Sequence, residues 1–223
     1  MKQKAWHLIS IIIGACLLMA VVDLWLASDY WMKALIKSVI FVFVPIMLNF
    51  KYHFISIRTF FIFKKPIRLH TFLFPVGIYV IIILAFLSLG ELIDLTNVTP
   101  TLEQTIGVNA TNFIYIAVYI SVINALIEEL FFRGFAFLGL RNLVKRKWAY
   151  LFSAGIFSIY HVSMMVNWFS PTLFILILFG LMLAGLMFNR LNEQSNSIYP
   201  SWLVHASANL AINTIGLILF NMI

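Results

Sequence analysis

The run TFLFPVGIYVIIILAFLSLG, residues 71–90, contains no charged side chain over a stretch long enough to cross a bilayer. A helical span needs about 20 predominantly apolar residues, and this segment alone places part of the chain in lipid. Working outward, the same reading applies almost everywhere. Of 223 residues, 63% are hydrophobic and only 10% charged, against about 45–50% and about 25% in a soluble domain. A water-soluble fold is excluded, because so apolar a chain would expose far more hydrophobic surface than a soluble monomer tolerates. Seven spans are predicted, at 6–27, 32–50, 69–90, 111–139, 149–168, 171–189 and 199–221. The expected architecture is all-α: a polytopic transmembrane helix bundle forming one membrane domain over 1–223, with no room for a separate soluble domain. The first apolar run follows Lys2 and Lys4, and Ile13-Gly14-Ala15-Cys16 resembles a lipoprotein cleavage box. The run continues to Leu26, however, so it reads as an uncleaved first span. Cys16 is the single cysteine, which excludes an intramolecular disulfide and a cysteine-based metal site.

The formal charge of +7 would suit a nucleic-acid ligand, but its distribution argues for topology instead. Lys2 and Lys4 precede span one. Lys51, Arg58, Lys64, Lys65 and Arg68 lie between spans two and three. Arg133, Arg141, Lys145, Arg146 and Lys147 lie at or beyond the end of span four, and Arg190 follows span six. With alternating spans these 13 of 15 basic residues share one side, which the positive-inside rule makes cytoplasmic. The N-terminus is then cytoplasmic and the C-terminus outside. Lys33 and Lys37 are left at the start of span two, where they can snorkel to the outer interface. Asp29, Glu91, Asp94 and Glu103 fall on the outer side, and residues 91–110 form the longest polar outer segment. Trp6, Trp31, Trp148, Trp168 and Trp202 lie near span ends, as an interfacial aromatic belt requires. Pro45, Pro75 and Pro200 mark bends or helix starts. Asp23, in span one, either lies near the outer interface or pairs with Lys37.

Span four carries the costliest residues of the chain. In the run from Ile120 to Arg133, Glu128 and Glu129 stand side by side. One carboxylate in a span costs about 2.5–3.5 kcal/mol on insertion scales, so the pair requires compensation. Arg133 is one helical turn beyond Glu129 and on its face, while Glu128 points about 100° away. His7, His53 and His70 fall at span ends or in a basic loop and read as interfacial. His161 and His205 fall inside apolar runs, His161 roughly 18 Å from the cytoplasmic end of its span. Asn209 follows His205 by one turn. A lone intramembrane histidine commonly serves as a helix–helix hydrogen bond. Four polar positions on three spans at compatible depth instead point to a functional site in a water-filled cavity opening to the cytoplasm.

Glu128-Glu129-x-x-x-Arg133, Phe157-x-x-x-His161 and His205-x-x-x-Asn209 occur in that order. They resemble the three motifs of the CPBP family, the CAAX-protease and bacteriocin-processing intramembrane endopeptidases, over 111–215. Spans one to three, within 1–110, carry no family signal and read as accessory. The resemblance implies a glutamate-type peptidase without a cofactor or metal. Glu128 and His161 would hold and deprotonate a water, and His205 and Asn209 would stabilise the oxyanion. Glu129 and Arg133 would orient them, with Phe157 a wall. The implied partners are the bilayer and a peptide or lipidated-protein substrate, with no nucleic acid. The implied location is a bacterial cell membrane, multi-pass. Neither a serine elbow nor a His-Glu-x-x-His zinc motif is present. Three alternatives stay open: metal-dependent hydrolysis by the same side chains; a bacteriocin self-immunity or peptide-maturation role, with or without proteolysis; and a proton-relay transporter.

Overall fold

The computed structural model describes residues 2–26, 29–53, 56–62, 70–165 and 168–223. Lys64, Lys65 and Arg68 lie outside the described residues. Among the described residues there is no strand, and long helices carry the architecture: α1 Lys2–Leu26, α2 Tyr30–Tyr52, α3 His70–Leu89, α5 Phe113–Gly139, α6 Arg146–Met164, α7 Pro171–Ser195 and α8 Tyr199–Leu219. A short α4, Val98–Ile106, sits in the outer segment expected to be a loop. It packs Leu102 and Ile106 on Phe113 and Ile116 and stops at Gly107, whose φ of 67° makes a left-handed cap that glycine adopts without strain.

Six of the long helices are apolar enough to span a membrane by length and composition. The seventh, α6, occupies the expected fifth span. It is 19 residues long, starts with Arg146 and Lys147 and carries Ser153, Ser158 and His161. Pro200 occupies the first turn of α8, as expected of a helix start, whereas Pro75 lies inside α3 and Pro45 inside α2.

Contacts between helix ends gather the basic termini at one end of the bundle. The His7 ring meets Tyr52, Leu8 abuts Gly139, Arg146 pairs with Glu193, and Arg141 donates to Asn196. Arg133 does not belong to that set. Its side chain is fully buried within α5, so twelve rather than thirteen basic residues carry the charge-placement argument. Lys37 departs likewise: it is buried in the bundle rather than snorkelling outward.

α5 is the central helix. Every residue from Ile127 to Leu140 is buried. α2 contributes Phe41, whose ring stacks on Phe131 at 4.1 Å. α6 crosses α7 closely enough that a Cβ on Gly185 would lie 3.0 Å from Ala154, the small-residue contact typical of membrane helices. Asn189 on α7 donates to the Tyr150 carbonyl and Asn192 to Ser201, tying α6, α7 and α8 together. α3 packs along α8, where Tyr79 and Thr214 share a hydrogen bond, and most of its remaining surface faces outward. At the basic end Phe60 is buried, and its carbonyl accepts hydrogen bonds from the Ile198 N–H and the Ser197 hydroxyl.

The ladder of α5 is not purely α-helical. π-helical segments at Ile120–Asn124 and Glu129–Gly139 flank Ala125–Glu128. Such i→i+5 stretches are rare and cluster at functional sites. α8 braces the first of them: Trp202 donates to Val122 O, Asn209 to Ile120 O and Asn213 to Ser121 Oγ and, just before the segment, to Ala117 O.

Candidate active site

Glu128 and Glu129 face inward from the junction between the two π segments of α5. Adjacent carboxylates repel, and each is resolved by its own cation. Arg133 Nε lies 3.5 Å from Glu129 Oε2, the turn-spaced pair expected from the sequence. Its guanidinium also sits over the Phe157 ring at 4.0 Å and the Phe188 ring at 4.8 Å. Phe157 thus presents a π face to a buried cation. Glu128 is paired with Lys37 of α2, whose Nζ lies 2.5 Å from Oε1. Asn124, one turn earlier on α5, donates to the same oxygen at 3.0 Å and accepts from Lys37 at 2.7 Å.

Both intramembrane histidines reach this pair. His205 bridges the two acids: Nδ1 is 3.0 Å from Glu129 Oε1, and Nε2 is 3.7 Å from Glu128 Oε2. The Phe188 ring stacks on its imidazole at 5.5 Å. His161 Nε2 lies 3.9 Å from the same Glu128 Oε2. Its Nδ1 is 2.7 Å from the Phe157 carbonyl oxygen. A carbonyl only accepts, so Nδ1 carries the hydrogen and a neutral His161 presents the Nε2 lone pair to Glu128. The Phe157-x-x-x-His161 spacing therefore fixes the tautomer of a neutral His161.

The structure thus brings Glu128, Glu129, Arg133, Phe157, His161 and His205 into one buried cluster. Asn209 is placed differently. Its amide donates to Ile120 O at 3.2 Å, on the π segment two turns before Glu128. Lys37 and Asn124 were missed by sequence reasoning. The available signals were a lysine well inside an apolar run, and an asparagine four residues before Glu128 on the same helical face. Asp23 pairs with Lys33 at 3.8 Å rather than with Lys37, and accepts a hydrogen bond from Ser163. Cys16 is a buried free thiol.

Residues 110–211 match the family model described as type II CAAX prenyl endopeptidase Rce1-like. The match supports placing this segment with the CPBP/CAAX proteases. Its limits nearly coincide with the 111–215 core read from the motifs, and it contains every clustered residue except Lys37. The Rce1-like match over this segment supports a membrane protease. No characterised protein and no solved structure matches the chain in the same comparisons.

Proposed function

We propose that the protein is a glutamate-type intramembrane endopeptidase that hydrolyses a peptide bond of a membrane-associated peptide or lipidated protein. The observation that carries this reading is the confrontation of two acceptors. Glu128 Oε2 and His161 Nε2 face each other across 3.9 Å, each beyond direct bonding distance. A water placed about 2.8 Å from both would donate one hydrogen to each and keep a lone pair for attack.

In this mechanism the water oxygen adds to the scissile carbonyl carbon as its proton passes to Glu128, with His161 aligning the second hydrogen. The carbonyl π electrons move onto oxygen. With Glu129 on its Nδ1, an imidazolium His205 donates from Nε2 to that oxyanion. Asn209 offers the amide hydrogen that Ile120 does not use. Collapse of the tetrahedral adduct breaks the C–N bond, and the proton held by Glu128 goes to the departing amine. The products are one carboxylic acid and one amine. General acid–base transfer of this kind contributes about 10²–10⁴-fold, and positioned oxyanion donors about 10²–10³-fold each. Lys37 and Arg133 already pair with the two carboxylates, and no step runs through a metal.

The test uses the full chain in liposomes with two fluorogenic substrates, a prenylated CAAX peptide and an unlipidated leader-type peptide. Glu128→Ala, His161→Ala and His205→Ala are each expected to lose cleavage while remaining folded. Near-normal turnover in all three would overturn the assignment.

A further inference from the structure

The α2 span lies outside the segment matched to the family, yet it supplies a charge to the centre of the cluster. Lys37 sits seven residues into α2, with its side chain 5% exposed. Its ammonium contacts Glu128 Oε1 and Asn124 Oδ1, while the Asn124 amide returns to Glu128 Oε1. These three side chains form a closed triangle. The remaining surroundings of the ammonium include the faces of Phe41, 5.7 Å away, and Tyr160, 5.2 Å away.

The triangle makes the two oxygens of Glu128 unequal. Oε1 accepts from two donors, whereas Oε2 accepts from none among the described residues and faces both imidazole Nε2 atoms. Turning the carboxylate out of this orientation would break both bonds, and a half-turn only restores the same arrangement with the oxygens exchanged. A buried ion pair that served folding alone would have no reason to direct the opposite oxygen at the histidines.

We propose that Lys37 is a positioning residue for the hydrolytic site: with Asn124 it holds Glu128 Oε1, so that Oε2 alone is presented to the water shared with His161. The inference rests on the endopeptidase reading and deepens it. It makes α2 part of the active site rather than an accessory span. Lys37 acts through Glu128 and does not itself touch substrate.

The experiment compares the full chain in liposomes as wild type, Lys37→Met, Lys37→Arg, Asn124→Ala, Glu128→Gln and the Lys37→Met/Glu128→Gln double variant. Each is measured for kcat, KM and thermal midpoint. A misplacement of about 1 Å in a reacting group costs about 10²-fold, so Lys37→Met should lower kcat by roughly that factor with KM nearly unchanged. Lys37→Arg should restore part of the loss, and Asn124→Ala should show a smaller fall in kcat. In the Glu128→Gln background Lys37→Met should cost nothing more, the non-additivity expected of residues that act as a unit. The thermal midpoints should be non-additive in the same way, because the double variant strands neither charge.

If Lys37→Met keeps wild-type kcat while Glu128→Gln is inactive, the positioning role is overturned and the endopeptidase reading survives. If Glu128→Gln keeps wild-type kcat, the endopeptidase mechanism falls, and the thermal cycle alone decides whether Lys37 and Glu128 are coupled. Additive midpoints would refute the coupling. Should Lys37→Met fail to fold, Lys37→Arg and Asn124→Ala carry the same decision: both at wild-type kcat would overturn the proposal.

Discussion

Replacing Arg133 with methionine isolates the energetics of the cluster from its chemistry. Arg133 and Glu129 are both fully buried, with Nε and Oε2 3.5 Å apart. Without the guanidinium, the Glu129 carboxylate keeps one described partner, His205 Nδ1 at 3.0 Å. Breaking a buried ion pair from one side costs about 3–5 kcal/mol, because the remaining charge is stranded. Methionine retains most of the volume between Phe157 and Phe188, so packing adds little. For a chain of this size 1 kcal/mol moves the midpoint by roughly 2–4 °C, so Arg133→Met should lower the thermal midpoint by about 6–20 °C. The assay is supplied by the molecule itself. Cys16 is the single cysteine and is buried, so a thiol-reactive fluorogenic dye in detergent micelles reports unfolding directly. The double variant Glu129→Gln/Arg133→Met strands no charge and should recover more than half of the loss. A single-variant shift under about 2 °C, less than 1 kcal/mol on the same scale, would refute the reasoning. So would a double variant no more stable than the single one.

Other perturbations separate the parts of the site. Glu128→Gln should reduce kcat by about 10³-fold or more; a loss below tenfold in single-turnover cleavage would remove Glu128 from the chemistry. Dialysis against a strong chelator should leave the cleavage rate within about twofold, since a zinc site takes its ligands from groups that Lys37 and Arg133 already neutralise here; a loss reversed by added zinc would establish the metal-dependent alternative. Gly134→Ala would bring a Cβ to 2.8 Å from the Phe60 ring and should destabilise by about 1–3 kcal/mol, with partial recovery in Gly134→Ala/Phe60→Leu in the same thermal assay. Glu193→Gln breaks a pair whose arginine is 61% exposed; solvent screens such a pair, so the midpoint should move by no more than about 4 °C.

The fold was legible because lipid imposes a simple rule on sequence. Runs such as 71–90 can only be helices that satisfy their own backbone groups, and each expected span corresponds to a helix. The site was legible where it followed local periodicity. Glu129 and Arg133 pair because four residues make about one turn, and His161 and His205 stood out as polar groups inside apolar runs. What resisted reading was non-local. Lys37 falls five residues into the predicted span 32–50, deep enough to question snorkelling, but its partner is an acid 91 positions away that residues 30–52 do not name. Arg133 was grouped with loop charges because its depth depends on how α5 is enclosed, not on its neighbours in sequence. The π segments were invisible for a related reason. An i→i+5 ladder is stabilised by tertiary partners, here the donors from Trp202, Asn209 and Asn213 on α8, and leaves no compositional mark on α5. Asn209 shows the limit of motif spacing. The one-turn offset from His205 puts it on the same helix face, but its observed bond goes to the bulge that shapes α5.

The charge pattern of the cluster also bears on which chemistry it can perform. Two carboxylates are matched by two permanent cations from different helices, Lys37 of α2 and Arg133 of α5. The acids are therefore compensated before any substrate or ion arrives. A cation-binding site would instead leave its acids unpaired to receive the ion, and a proton relay would need a carboxylate free to turn toward either side of the membrane. Glu128 is fixed at Oε1 by Lys37 and Asn124, which opposes such turning. The groups left to respond to a reaction are Glu128 Oε2 and the Nε2 atoms of His161 and His205, all within 3.9 Å of the same carboxylate oxygen. An arrangement that immobilises its charges and leaves three proton-exchanging atoms around one point favours local proton transfer to and from a bound water over ion or proton transport.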